Sequence, residues 1–368
     1  MPAMDVNRRA GSRRATLKEV AAEVGVAPST VSNAYNRPDQ LSPALRERIF
    51  ETARRLGYPG PDPMARGLRR RRAGAVGVLY DTRLSYAFAD PAEVLFLQGV
   101  SMVTEEEGLG LLLLSGAPGT ERDPEVISGA VVDGFILYSM ADGDPLVEAA
   151  LGRRLPIVIV DQPRSADVPI VGIDDEAASR SAAEHLISLG HRRFGVVTFG
   201  LAPDARGSIA DRTRQEAATY HVSRSRLQGY AAALTDAGIP WADVPVYECA
   251  ENVPEKGRIA TEALLSREPR PTAILTFSDQ LALGAIEAAR RLGLSVPKDL
   301  SVVGFDDVAE AARATPPLTT IHQPHVDKGQ LASRNLLTQL REEEPSSREI
   351  LPTHLIVRGS TARPKTRR

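Results

Sequence analysis

Residues 16–36 read TLKEVAAEVGVAPSTVSNAYN, and this stretch decides how the N-terminal part of the chain folds. Thr16 and Glu19 have the spacing of a capping box, which predicts a helix from Leu17. Val20, Ala21 and Val24 give that helix one apolar face. Gly25 follows where a tight turn needs positive φ. Pro28 suits the first turn of a second helix, because its missing N–H would be unpaired there anyway. On that helix Val31, Ala34 and Tyr35 face inward, while Ser29, Ser32, Asn33 and Asn36 form one polar side. A short helix bearing hydroxyls and amides is narrow enough for a DNA major groove and carries donors and acceptors for base edges.

Working outward, Ser42 and Pro43 announce a third helix as N-cap and first residue. Leu45, Ile49, Ala53 and Leu56 supply its buried stripe, with Arg46, Arg48, Arg54 and Arg55 outside. Val20, Val24, Val31, Leu45, Ile49 and Leu56 can share one core. A generic three-helix bundle is the plain alternative, but this turn and polar second helix are what a helix-turn-helix requires. Charge points the same way. The 368 residues carry a net charge of -2, yet residues 1–72 hold 15 Lys/Arg against 7 Asp/Glu. A cationic segment joined to an anionic remainder suggests that the first segment alone meets a polyanion.

From Thr16 to Asn36, and again in RERI and LGYP ending at Tyr58 and Pro59, the chain resembles the lactose-repressor (LacI/GalR) family. The resemblance implies a ligand-responsive transcription regulator that binds palindromic double-stranded operator DNA as a homodimer. It assigns groove reading to Pro28, Ser29, Thr30, Ser32 and Asn33, with Thr16, Asn36 and Tyr58 as further candidate contacts. Where the family often has Arg, this chain has Asn33; Asn favours adenine and Arg favours guanine, so the preferred base changes. Residues 59–73, PGPDPMARGLRRRRA, read as a linker. Within them MARGL resembles the family's hinge helix, which places Leu68 as a minor-groove wedge beside Arg66. An unstructured basic linker is the alternative.

From Ala75 the pattern changes to apolar runs separated by amphipathic stretches. AVGVLY (75–80), LGLLLLS (109–115), GFILY (134–138) and PIVIVD (156–161) are strand-like, with helices expected at 91–106, 123–130 and 144–152. The theme restarts with a helix at 176–189. Strands at 193–199, 244–249, 272–277 and 300–305 then alternate with helices at 223–237, 255–267 and 279–292. Continuous apolar strands between helices indicate buried parallel sheets. The expected fold class is therefore an all-α helix-turn-helix headpiece plus α/β: two lobes of doubly wound parallel sheet. Four segments (185–197, 277–285, 293–307 and 316–324) are close to motifs of the same family, whose core is periplasmic-binding-protein-like.

The expected domains are a disordered basic arm over 1–14, the helix-turn-helix domain over 15–60 and the hinge over 61–73. An N-terminal lobe takes 74–171 and 321–347, a C-terminal lobe takes 172–320 and 348–362, and a tail covers 363–368. In open parallel sheets ligands sit beyond the carboxyl ends of the strands. Asp81, Asp161, Ser278 and Asp306 stand at such ends, and Arg226 in RLQGY matches the family's effector-anchoring arginine. Guanidinium and carboxylates together suit a polyhydroxylated ligand or a base, with a sugar-like effector expected. Each Asp alone could equally be a helix N-cap. The long segment 201–225 is either a flap over the cleft or an inert surface loop.

Other chemistry finds less support. There is no Gly-x-Gly-x-x-Gly or Walker loop and no Gly-x-Ser-x-Gly elbow. Cys249 is the only cysteine, and His322 and His325 lack the companions of a metal site. No cofactor, metal or catalytic residue is expected. No apolar run has the roughly 20 residues of a membrane span, and the basic start lacks the apolar block of an export signal. The expected location is cytoplasmic and nucleoid-associated. The tail has no heptads, so a dimer is expected and no larger coiled-coil assembly. A transport solute-binding protein would show the reverse pattern, with an export signal and no headpiece. An enzyme of the doubly wound class would need a reactive constellation.

Overall fold

The computed structural model describes residues 15–60, 72–116, 124–165 and 167–365. The expected arm over 1–14, most of the expected hinge (61–71) and the end of the tail lie outside the described residues. The chain divides into two units, Met1–Ala73 and Gly74–Arg368.

In the first unit three helices form, α1 (Leu17–Val24), α2 (Pro28–Asn36) and α3 (Pro43–Leu56). The capping box closes as the spacing requires. Glu19 N–H donates to Thr16 Oγ1 at 3.4 Å, and Thr16 N–H donates to Glu19 Oε2 at 2.7 Å. Gly25 ends α1 at φ 75° and ψ 36°, the left-handed conformation that turns the chain into α2. Ser42 caps α3 through Leu45 N–H at 3.4 Å. Val20, Ala21, Val24, Val31, Ala34, Ile49 and Ala53 are the buried core; Leu45 and Leu56 pack at its edge, only partly covered. Phe50, absent from the expected core, packs edge-on against Tyr35 with centroids 4.9 Å apart.

The second unit holds two sheets. Strands β1 (Ala75–Tyr80), β2 (Gly110–Ser115), β3 (Gly134–Tyr138), β4 (Ile157–Val160) and β5 (Ile170–Ile173) belong to the first. Strands β6 (Phe194–Thr198), β7 (Ser208–Ile209), β8 (Val246–Glu248), β9 (Ala273–Thr276), β10 (Ser301–Asp306) and β11 (Thr319–His322) belong to the second. Finally β12 (Arg348–Leu351) returns to the first sheet and β13 (His354–Ile356) to the second. The orders are β12-β5-β4-β3-β1-β2 and β13-β11-β10-β9-β6-β8-β7. The first sheet is parallel throughout; in the second only β7 and β13 run antiparallel to their neighbours.

This pairing moves the lobe boundaries. β5 lies wholly in the first sheet instead of being cut at 171/172, and β11 lies wholly in the second instead of being cut at 320/321. β12 pairs in parallel with β5 (Arg348↔Ile170 to Leu351↔Ile173), whereas the sequence reading put 348–362 in the C-terminal lobe. The chain therefore crosses near 174, 323 and 352. Within 348–362 the departure is confined to 348–351, because REIL is a short, half-exposed edge segment with no apolar run to assign it, whereas β13 does lie in the second sheet.

Helices cover the sheets: α4 (Leu84–Ala87), α5 (Pro91–Glu106), α6 (Pro124–Gly129), α7 (Pro145–Gly152), α8 (Asp175–Ser188), α9 (Arg212–Glu216), α10 (His221–Asp236), α11 (Pro254–Leu265), α12 (Asp279–Arg291), α13 (Ala309–Arg313) and α14 (His325–Leu340). α5 and α14 cross at very short range. A Cβ on Gly99 would meet the Val326 carbonyl oxygen at 2.0 Å, and one on Gly329 would meet that of Phe96 at 2.2 Å. Only glycine permits this approach, which fixes the start of α14 against the first sheet. None of the described helices is long and apolar enough to cross a membrane.

One buried acid makes the second lobe sensitive to pH. Asp279, the first residue of α12, accepts from Thr320 Oγ1 at 2.5 Å and from Val308 N–H at 2.9 Å. Burial pushes its pKa up to about 7. The folded state thus holds a proton that the unfolded chain has already lost, so this group's stabilisation is greatest in acid and vanishes as pH rises through about 7. Between pH 5 and pH 8 the loss is on the order of 3 kcal/mol. Asp279→Asn removes it, since the amide can accept from Val308 and donate to Thr320. Urea unfolding at the two pH values is expected to show the wild type losing stability relative to the variant. A difference that stays constant between them would mean that the carboxyl titrates normally.

Candidate functional site

Between the two sheets lies a cleft of ≈ 650 Å³. Asp81, Asp161, Ser278 and Asp306 line it at the strand ends where parallel sheets place ligands, and Arg226 lines it from α10. Asp161 follows β4 at φ 64° and Asp306 ends β10 at φ 123°. Such backbone costs a non-glycine residue about 1–3 kcal/mol and persists where the surroundings enforce it.

The surroundings here are charges. Lys328 on α14, 1% exposed, donates from Nζ to both oxygens of Asp161 at 2.9 and 3.0 Å and to Gln323 Oε1 at 3.0 Å. Gln323 Nε2 in turn donates to Asp306 Oδ1 at 2.7 Å. Burial pushes the Asp306 carboxyl well above the usual range, with Asp279 adding and Arg226 opposing. Arg226 on α10 donates from Nε to Asp175 at 2.8 Å and from Nη1 to the Phe277 carbonyl, and its guanidinium lies 3.7 Å over the Phe305 ring. Burial works against its charge, but Asp175 and Asp306 outweigh that and hold it above its ordinary value. Its Nη2 has no hydrogen-bond partner among the described residues.

Several bonds join the lobes around the cleft. Tyr220 donates to Asp81 Oδ2. Val222 N–H, in the first turn of α10, donates to Gln162 Oε1 at 2.8 Å. Asn252 donates to Asp90 at 3.0 Å, and Tyr86 donates both to Asp90 and to the Asn252 carbonyl. Arg224 pairs with Asp142 at 2.8 Å. Ser278 is both the N-cap of α12 and a donor to Asn252, so its capping role and its place in the cleft coexist.

Sequence reasoning missed Tyr86, Asp90, Glu93, Gln162, Asn252, Gln323, His325 and Lys328, all of which line the same cleft. For Lys328 a signal existed. It falls at helical spacing with Ala332 and Leu336, both fully buried, and a charge on such a stripe needs a partner. The segment 201–225 is neither a detached flap nor inert. Ser208–Ile209 adds a strand to the second sheet, and the buried Arg214 forks onto Glu248 at 2.7 and 2.8 Å and onto Asp204 at 2.7 Å. Its Ala202, Pro203, Asp204 and Ala205 form part of the cleft wall.

In the first unit, Pro28 and Ser29 are exposed on α2, and Thr30, Ser32, Asn33 and Asn36 are half-buried. Asn36 is partly committed: its Nδ2 donates to Ser32 O at 2.9 Å and Oγ at 3.2 Å. Thr16 is exposed and engaged as the cap of α1, and Tyr58 packs edge-on near Tyr35. Arg66 and Leu68 lie outside the described residues.

Residues 16–60 match the model of bacterial regulatory proteins of the lacI family, and residues 183–361 match a periplasmic binding protein-like domain. An HTH-type transcriptional regulator of Mycobacterium tuberculosis is 46% identical over 355 residues, covering 96% of this chain and 98% of the relative. The lac repressor dimer bound to operator and an anti-inducer superposes with a TM-score of 0.77 at 26% identity over 95% of this chain and 100% of that one. The complex of the transcriptional regulator CelR with cellobiose gives 0.68 at 31% identity, covering 94% and 100%.

The Arg226–Asp175 pair sets a limit on how the site can be probed. Arg226→Ala leaves a buried carboxylate without its partner, a change that costs about 3–5 kcal/mol. Arg226→Ala combined with Asp175→Asn removes that carboxylate and is expected to recover much of the loss. Urea unfolding of the two single variants and the double checks this; strictly additive losses would deny the coupling.

Proposed function

The chain belongs to the lacI family of bacterial regulatory proteins, and from that premise we propose a repressor that binds a palindromic operator as a homodimer and is switched by a sugar-like metabolite in the interlobe cleft. The observation that carries the reading is the convergence of Asp81, Asp161, Arg226, Ser278 and Asp306, far apart in sequence, on one cleft. Carboxylates that accept, a guanidinium Nη2 that donates and the Phe199 ring suit a molecule with several hydroxyls and an apolar ring face. That the CelR relative was solved with cellobiose supports the same ligand class.

On the DNA side the exposed Ser29 and the half-buried Asn33 are the base-reading candidates, with Pro28 and Thr30 setting the entry of the helix. Asn36 serves to hold Ser32 in place, given its two bonds to that residue. Two headpieces related by a two-fold axis require half-sites about one helical turn apart. Ligand and operator must change each other's affinity by the same factor.

Selection of genomic fragments by the full-length protein at low salt is expected to return a palindrome. Ser29→Ala and Asn33→Ala should each lower affinity for it roughly 5- to 100-fold, the range for losing base contacts, and leave non-specific binding unchanged. Asn36→Ala should have a smaller effect. Recovery of no palindrome, or equal loss on specific and random DNA, would overturn the reading.

A further inference from the structure

We infer that the cleft takes an uncharged polyhydroxylated ligand and rejects the phosphorylated or carboxylated form of the same molecule, with Glu93 reading one of the ligand's hydroxyls. This rests on the effector-cleft reading above and narrows it by charge.

Seven carboxyl-bearing side chains line the cleft against three cationic ones. Of those three, Lys328 is bound by Asp161 and Arg226 by Asp175, both at 2.9 Å or less, and Arg83 sits exposed. Each buried cation is already paired with a carboxylate, so an arriving anion would compete with that partner, and the one open donor, Arg226 Nη2, serves a hydroxyl equally well.

The other device proteins use for anions is the N-terminus of a helix, where free N–H groups meet phosphate. Four long helices begin at the cleft wall; three of them have a leading N–H already taken, and the fourth, α14, has no side-chain cap but carries Asp327 in its first turn. Asp90 Oδ1 accepts from Ala92 N–H at 3.0 Å at the head of α5. Ser278 Oγ accepts from Leu281 N–H at 3.2 Å at the head of α12, and Gln162 accepts from Val222 N–H at the head of α10. One of these caps is itself a carboxyl. Phosphate would have to displace it against like charge.

What the cleft leaves unsatisfied is suited to hydroxyls. The Tyr80 hydroxyl, Glu93 Oε2 and both ring nitrogens of His325 are buried and lack hydrogen-bond partners among the described residues. The three side chains are 0%, 8% and 4% exposed, and all line the cleft. Burial drives His325 well below its ordinary pKa, with Lys328 and Arg226 adding, which favours the neutral ring; its Nε2 stands 3.8 Å from Asp306 Oδ1. Burial, with Asp90 and Asp81 adding and the Thr82 hydroxyl opposing, drives Glu93 well above the carboxylate range, which favours its protonated form. A neutral carboxyl, a neutral imidazole and a phenol can each donate to or accept from a hydroxyl, whereas they offer a phosphate no charge.

The test is titration calorimetry on the full-length protein with matched probes: ribose, glucose, galactose, mannitol and cellobiose against ribose 5-phosphate, glucose 6-phosphate and glucuronate. Binding is expected within the neutral set, with the matched anion weaker by roughly 100-fold, as for a buried charge left unpaired. Glu93→Gln, which keeps a neutral hydrogen-bonding group, should bind the neutral ligand within about threefold, and Glu93→Ala should lose roughly tenfold. An anionic probe binding as tightly as its neutral parent overturns the inference and leaves the effector cleft standing. Wild-type affinity in Glu93→Ala overturns the role of Glu93. Binding of neither set by protein that still selects DNA, or binding that survives both Glu93→Ala and Asp306→Ala, overturns this inference and the effector-cleft reading together. Since the neutral-to-anion ratio is read on the wild type, the conclusion does not depend on any variant folding.

Discussion

The second unit depends on charge balance in a space from which water is largely excluded. Lys328 is 1% exposed, and an ammonium at that depth is costly without partners. It has them: Asp161 meets it with two oxygens and Gln323 supplies a third acceptor. Gln323 passes the arrangement on by donating to Asp306 across the lobe boundary. The geometry is set from below: the Gly99–Gly329 crossing seats α14 on the first sheet, and Lys328 lies one residue before that contact. A larger residue at either glycine would lift the start of the helix and separate the ion pair. Packing at one point therefore determines electrostatics at another.

Much of this arrangement is legible in the sequence, for identifiable reasons. Buried parallel strands must be apolar on both faces, so AVGVLY, GFILY and PIVIVD announce themselves, as do the caps at Thr16 and Ser42, which depend on spacing alone. Strand ends in such sheets face the ligand, which is why Asp81, Asp161, Ser278 and Asp306 can be named before any coordinates. Less legible is whatever depends on partners distant in sequence. Lys328 pairs with a residue 167 positions away, and Arg214 with Glu248 across an added strand. Neither pairing leaves a local pattern. Short edge strands such as REIL are misplaced for the same reason, because their membership is decided by the neighbour and not by their own composition.

The alternative readings of individual residues also merge once the fold is known. An aspartate or serine at a strand end can be a cap or a ligand contact, and Ser278 is engaged as a cap while lining the cleft. Asp90 and Gln162 behave alike, each holding the head of a helix that opens on the same space. Capping thus serves two ends. It satisfies helix donors that would otherwise be orphaned, and at three of the helix heads on the cleft it occupies an N–H that an anion could otherwise take.

These caps also give the cleft a means of reporting occupancy. Gln162 belongs to the first lobe and holds the first turn of α10 in the second, the helix on which Arg226 lies four residues beyond the capped Val222. Asp90 and Asn252 form a similar link at another point on the rim. A ligand whose hydroxyls reach residues of both lobes must coexist with these links or replace them. It can move the lobes only by as much as its affinity differs between the two arrangements. With several interlobe bonds each worth on the order of 1 kcal/mol, a ligand that keeps some and breaks others commands a coupling of 1–3 kcal/mol, the range in which regulators of this kind operate.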